Sequence, residues 1–203
     1  GYFDYVRWSC SAFDFPLFYA LREMCNNPSY DMRRLWGSGL NYDVPMHSVS
    51  FCDNHDTDRS QPIVTDKLLA YAYILTHEGV PCIFWKDYYN YGLALPNSAN
   101  GIDKLCQIHR DYAGGETKLL YCDDRLYIAQ RNGYQTQKGL LAVINTDPSS
   151  WRGVWVQTQW PNTPLTCAAW WGHDQHKPFD QRTDGGGWVP LYAAPRGYAV
   201  YVP

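Results

Sequence analysis

Charge is scarce in this sequence, and its two signs nearly cancel. Of 203 residues 18% are Asp, Glu, Lys or Arg, with 17 basic against 20 acidic side chains and a formal charge of −3. Nothing in that balance would draw the chain to nucleic acid or to an anionic membrane surface. Long apolar runs are missing too. The longest, such as Leu68 to Leu75, carry Tyr71 and Tyr73 and fall well short of a bilayer span, which takes about 20 residues. No CxxC pair occurs among the seven cysteines (Cys10, Cys25, Cys52, Cys82, Cys106, Cys122 and Cys167), and their spacing is irregular. That argues against zinc, and an odd count leaves at least one thiol outside any intrachain disulfide. Cys52 and Cys82 fall in strand-like runs and read as buried, inert thiols, with one or two disulfides left open. An initiator Met is lacking: the chain starts at Gly1, and no charged-then-apolar leader precedes its first periodic segment. The expectation is that something upstream was removed or that this is a piece of a longer polypeptide.

Aromatics, by contrast, are abundant. Nine Trp, 17 Tyr and 7 Phe make up 16% of the chain. Such enrichment suits surfaces that stack on flat, weakly charged ligands such as sugars, although cores use the same residues. With 45% hydrophobic residues, the chain can bury one large core or two modest ones.

The first half alternates strand and helix signals. Ser11 to Phe15 fits a strand end, and Pro16 sits where a first-turn proline is tolerated. Leu17 to Met24 then carry helical spacing until Asn26-Asn27-Pro28-Ser29 breaks it. His47 to Cys52 is a second strand. Asp66 is placed to cap a helix whose apolar positions run from Leu68 to Leu75 and end at Gly79. Val80 to Trp85 is a third strand, Tyr88 to Pro96 a loop, and Asp103 to Tyr112 a helix closed by Gly114 and Gly115. Strand–helix units in succession predict parallel β/α architecture. After Gly115 the pattern becomes short β-rich runs: Leu119 to Cys122, Leu126 to Gln130, Leu140 to Asn145, Val154 to Thr158, Trp188 to Tyr192 and Tyr198 to Val202. Turn signals separate them, predicting an antiparallel sandwich. The expected division is 1–114 and 115–203.

One stretch stands out for chemistry. Ser48-Val49-Ser50-Phe51-Cys52-Asp53-Asn54-His55-Asp56-Thr57 is an apolar strand that ends abruptly in polar residues. In a β/α barrel, C-terminal strand ends face the active site. An Asp beside a His there can hold a sugar ring by hydrogen bonds and place negative charge near a cationic transition state. The plainer alternative is a polar turn capping the next helix.

Phe51-Cys52-Asp53-Asn54-His55-Asp56-Thr57 resembles the fourth signature region of the α-amylase family of glycoside hydrolases. Around it, Ser11-Ala12-Phe13-Asp14-Phe15-Pro16-Leu17 is similar to strand six of liquefying-type members, and Tyr30-Asp31-Met32-Arg33 to the turn after its helix. Leu69 to Thr76 followed by Gly79 to Phe84 resembles helix seven and strand eight. Ile108 to Gly114 and the residues beyond resemble helix eight and the C-terminal domain. The resemblance implies the last three units of a (β/α)8 barrel over 1–114 and an antiparallel Greek-key β-sandwich over 115–203. It implies retaining, endo-acting cleavage of α-1,4-glucosidic bonds in starch or glycogen. Asp56 matches the Asp that stabilises the transition state, His55 the substrate-binding histidine, and Asn54 the residue bracing the loop. The nucleophilic Asp and acid/base Glu of the family belong to strands four and five, upstream of Gly1. The chain is therefore expected to be inactive alone and to need the N-terminal part of the same enzyme, in the same or a separate chain. Asp14, at the end of strand six, takes a structural role in the family.

Trp85 is a candidate for stacking on sugar, against a packed aromatic at a barrel rim. Cys82 stands where chloride-activated relatives carry a basic residue, so chloride dependence is not expected. Calcium in the complete enzyme is implied by the family; in this chain Asp124 and Asp147, with Tyr30 and Asp123 nearby, are weak candidates against turn and cap roles. The segment Trp170 to Asp180 is dense in Trp and His. His173 and His176 lack a third ligand for a metal, whereas Trp170 or Trp171 offers a second carbohydrate contact. No nucleic acid or membrane partner is expected, and export suits a polysaccharide hydrolase. The alternative from another class is a non-catalytic carbohydrate-binding or structural subunit.

Overall fold

The computed structural model describes residues 2–5 and 8–203. A short helix, α1 (Tyr2–Tyr5), precedes a set of β/α units: β1 (Ala12–Phe13), α2 (Phe15–Asn26), α3 (Leu40–Asp43), β2 (Ser48–Phe51), α4 (Thr57–Ser60), α5 (Leu68–Thr76), β3 (Val80–Cys82) and α6 (Ile102–Tyr112). The three strands pair in parallel in chain order, Ala12 opposite Ser48 and Val49 opposite Val80. This is the parallel architecture that the alternation predicts, as an open three-stranded sheet, whereas a closed barrel takes eight.

The strands are shorter than the sequence suggests. Phe15 already belongs to α2, because Asp14 caps it: Asp14 Oδ1 accepts from Leu17 N at 3.1 Å. The other carboxylate oxygen accepts from Asn41 N at 2.7 Å and Ser48 Oγ at 2.9 Å, so this fully buried acid ties three segments together. Gly39 makes room for it. Its φ is +74°, and a Cβ there would lie 2.3 Å from Asp14 Oδ1. Likewise β3 ends at Cys82 rather than at Trp85, and residues 86–90, of which Tyr88 onward were expected as loop, wind into one turn of π-helix (Lys86–Asn90). Asp66 does not cap α5 with its side chain. It reaches instead to Arg196 Nε at 2.6 Å and His173 Nε2 at 2.8 Å, fastening the helix start to the far end of the chain.

Beyond α6 lie β4 (Thr117–Cys122), β5 (Leu126–Arg131), β6 (Leu140–Asn145), β7 (Arg152–Gln157), β8 (Pro164–Trp171), β9 (Gln181–Arg182), β10 (Trp188–Ala193) and β11 (Gly197–Val202). They form a six-stranded sheet in the order β4-β5-β6-β11-β8-β9 and a two-stranded ribbon β10-β7, with antiparallel pairing in both. Six of these strands were legible; β8 and β9 were not.

Two cores organise the molecule. One, with Leu126, Ile128, Leu141, Val143, Val156, Leu165, Val189 and Leu191, fills the space between ribbon and large sheet. The other is shared: α2, α5 and α6 pack on Tyr127, Ala129, Leu140, Ala142, Ile144, Tyr198 and Val200 on the opposite face of that sheet. Every residue of α5 is buried, as a helix apolar on all sides must be. Cys25, Cys52, Cys82, Cys106, Cys122 and Cys167 are unpaired thiols; Cys52 is fully buried and Cys82 half-buried. Burial pushes the Cys25 and Cys167 thiols up to about 12, which keeps them protonated and inert.

Candidate active-site loop

The segment after β2 answers the question of whether its polar residues are merely a cap. Asp56 occupies the N-cap position of α4, yet its carboxylate makes no capping bond. Asn54 does that work: its Oδ1 accepts from Asp56 N at 2.9 Å and Thr57 N at 3.0 Å. Thr57 Oγ1 in turn accepts from Asn54 N and donates to Asp53 Oδ1, both at 2.8 Å. The consequence is that the Asp56 carboxylate is released outward. It is 80% exposed beside an equally exposed His55, whose Nε2 lies 3.5 Å away.

Below this loop sits a buried charge network. Lys67 Nζ bonds Asp53 Oδ2 and Asp87 Oδ1, both at 2.6 Å, and Tyr71 OH donates to Asp87 Oδ2 at 2.7 Å. Burial alone would lower the Lys67 pKa, but the two carboxylates outweigh it and hold the ammonium above the ordinary lysine value. Burial raises Asp87, partly offset by the bonds from Lys67 and Tyr71. A second tie runs above it: Asp58 accepts from Lys86 Nζ at 2.7 Å and Tyr91 OH at 2.8 Å. Those bonds hold its carboxyl below the usual range. The loop after β2 and the π-helix after β3 are thus pinned to each other through Asp53–Lys67–Asp87 and Asp58–Lys86.

Trp85 opens that π-helix, 66% exposed, with its ring 4.0 Å from the exposed Tyr89 ring. The structure therefore brings Asn54, His55 and Asp56 into one loop and sets Trp85 on the neighbouring one. Sequence reasoning missed Asp58, Lys67, Tyr71, Asp87 and Tyr91. Their contacts span 14 to 33 residues, and no spacing pattern announces such pairs.

Asp53, Asp58 and Asp87 are all committed to these ties, so none is a spare carboxyl beside Asp56. Two carboxyls about 5 Å apart are what a double displacement requires.

The calcium candidates lie elsewhere and do not fit the ion. Asp123 is saturated by Arg125 N, Leu126 N, Tyr121 OH and the Arg152 guanidinium, the last at 2.6 Å. Asp147 Oδ1 accepts from Ser149 N and Ser150 N, and Arg152 stands 3.9 Å from its other oxygen. A guanidinium occupies the space between the two carboxylates that a cation would need, and Asp124 lies by Arg125. Tyr30 is buried under Arg34. These are turn and cap roles. His173 is tied to Asp66 and His176 to Asp174, and no group of three or more His, Cys, Asp or Glu able to hold a metal occurs among the described residues. Trp170 is half-buried and packs on the sandwich core. Trp171 walls a cleft of about 470 Å³ shared with Asp58, Ile63, Lys67, Tyr91 and Leu93.

Residues 140–202 match the family model described as Alpha-amylase C-terminal. The chain is similar to the α-amylase of Geobacillus stearothermophilus, with 37% identity over 172 residues, 78% of this chain and 31% of that protein. It is similar to a glucan 1,4-alpha-maltohexaosidase of Bacillus sp. (strain 707), with 33% identity over 124 residues, 57% of this chain and 24% of that protein. It spans less than a third of the length of either relative. In fold it is similar to a cyclomaltodextrin glucanotransferase with a three-domain ABC distribution, at a TM-score of 0.65 and 22% identity, covering 98% of this chain and 46% of that one. The chain belongs to the α-amylase family, of which it carries the C-terminal part.

Proposed function

We propose that this chain supplies one wall of the active site of an endo-acting α-amylase that hydrolyses α-1,4-glucosidic bonds of starch or glycogen with retention. Asp56 bonds the sugar hydroxyls and stabilises the cationic transition state, and His55 holds the same ring. Asn54 shapes the loop, and Trp85 stacks on a neighbouring glucosyl unit. The nucleophilic Asp and the acid/base Glu come from an N-terminal part of the same enzyme, which also closes the barrel. The observation that carries this reading is the exposed Asp56–His55 pair, freed from capping by Asn54 and anchored from below by buried ion pairs. That is the architecture of a preorganised site, in which rigidity is placed under the reacting groups. Both edges of the parallel sheet also favour a complement: Phe13 on β1 is 54% exposed and Val80 on β3 53%.

The test joins this chain to, or co-expresses it with, a complementary N-terminal amylase segment and follows release of reducing ends from soluble starch. The assembly is expected to be active and the lone chain inactive. Asp56→Asn should lower turnover by about 10²–10³-fold or more with an unchanged circular dichroism spectrum. Near-normal turnover in that variant overturns the assignment.

A further inference from the structure

The two-stranded ribbon carries a feature that the catalytic reading does not use. Alternation along β7 sends Val156 inward, and along β10 it sends Val189 and Leu191 inward, into the sandwich core. The other face points to solvent, and it is aromatic. From the cleft end, Trp151 comes first, then Tyr192 opposite Gly153, Trp155 opposite Pro190, and Trp188 opposite Gln157. Trp155 is 62% exposed, Trp188 43% and Tyr192 40%. Same-face neighbours along a strand stand about 6.8 Å apart, so the rings form a row roughly 20 Å long. Two of them are held in place. A Cβ at Gly153 would fall 2.2 Å from the Tyr192 ring, so that ring sits against the bare backbone of Gly153. The Trp151 indole N–H donates to Asp174 Oδ2 at 2.6 Å.

At the Trp151 end the row runs into a cleft of about 650 Å³ walled by Trp151, Tyr192, Pro178 and Phe179, with Asp174, His176 and Lys177 on its rim. The rim charges are already spoken for: Asp174 is bonded to Trp151 and to His176, and Lys177 to Asp180 at 3.0 Å. An anionic ligand would find no unpaired lysine there. A neutral, polyhydroxylated chain with apolar ring faces matches both the aromatic row and a rim whose polar groups are already hydrogen-bonded.

We infer that the outer face of β7–β10 and its end cleft bind a neutral polysaccharide chain by ring stacking, and, on the reading proposed above, that the chain is an α-glucan. A second copy of the protein is a poor occupant. Two strands about 4.8 Å apart and 20 Å long present roughly 200 Å², against about 800 Å² per partner in a stable dimer. The remainder of the barrel proposed above is no better an occupant, because the β/α units pack on the opposite face of the large sheet.

The test uses the whole 203-residue chain in affinity electrophoresis and calorimetry against soluble amylopectin, with xylan and mixed-linkage β-glucan as parallel probes. Amylopectin is expected to retard the chain. Trp155→Ala and Tyr192→Ala should each weaken binding about five- to ten-fold, and the double variant should abolish retardation. Tyr192→Phe should bind nearly as the parent does. Retention on xylan or β-glucan with the same loss in the variants keeps the site and overturns the α-glucan assignment, whereas the proposed catalytic role stands or falls separately on Asp56→Asn. Undiminished amylopectin binding by the folded double variant, or no binding of any of the three probes by the parent, overturns the inference. So does sedimentation showing a parent dimer that the double variant dissociates.

Discussion

At the scale of single residues, a division of labour explains why an exposed acid can be held in one place. Asn54 satisfies the first amides of α4, so Asp56 does not have to. Asn54→Ala should cost about 1–2 kcal/mol, as loss of a helix cap does, and loosen the loop; urea denaturation measures the first. In the assembled enzyme a fall in kcat reads the second. Lys67 neutralises two buried carboxylates at once. Lys67→Met should destabilise by about 3–5 kcal/mol near neutral pH, because it leaves Asp53 and Asp87 buried without a cation. Burial raises the Asp87 pKa already, so in that variant a protonated Asp87 is the less costly form. The penalty should therefore be larger at pH 8 than at pH 5, and the difference in urea midpoints at the two values checks the sign. Asp174, held at about 2 first by the Trp151 bond and then by His176, should stay ionised until the pH falls through that value. The Trp151 indole proton resonance should accordingly titrate near 2 rather than near the ordinary aspartate value of about 3.9.

At the scale of elements, what could be read depended on how much of each element's cause was local. The apolar positions of α5 lie within nine consecutive residues, so its extent follows from them. The β6 expectation matched to the residue because Leu140–Asn145 is a fully buried apolar run. β8 escaped notice because Pro164, Thr166 and the Trp170-Trp171 pair break any clean alternation; it exists because β11 and β9 bond to its two edges. The π-helix after β3 is equally non-local in origin: Lys86 and Asp87 are drawn to Asp58 and Lys67 from other segments. The loop Phe51 to Thr57 was legible as a candidate site because an apolar strand ending in five polar residues is a local signal. The bonds beneath it were not, since charge partners meet only after the chain has folded.

Over the whole molecule, the β/α units and the sandwich are not separable bodies. The shared core joins α2, α5 and α6 to β5, β6 and β11, and Arg196 crosses the boundary to Asp66 with both side chains buried. Residues 1–114 expressed alone should fail to show a cooperative thermal transition, which scanning calorimetry would reveal. At the same boundary His77 stacks on Tyr73 at 3.8 Å, and its Nε2 lies 2.8 Å from Tyr127 OH. Burial first, then Arg131, lowers its pKa from 6.5 to about 3. The unfolded chain thus takes up a proton at this histidine as pH falls below about 6.5, while the folded chain refuses it until about 3. Stability should therefore decline across that window, by on the order of 5 kcal/mol at its lower end for this one group. His77→Gln should flatten the slope of urea midpoint against pH; an unchanged slope would sink this account.

Sequence by itself determined the order of β/α units, the change to antiparallel strands after Gly115 and the polar loop at residues 53–57. Each of these is written in consecutive residues, as apolar spacing, turn chemistry or an abrupt change of polarity. Only the tertiary structure decided that Asp56 is free of capping, that Lys67 bridges Asp53 and Asp87, and that an exposed aromatic row lies on β7–β10. Those outcomes depend on which distant surfaces meet, and hydrogen bonds and burial are properties of the meeting, not of either segment.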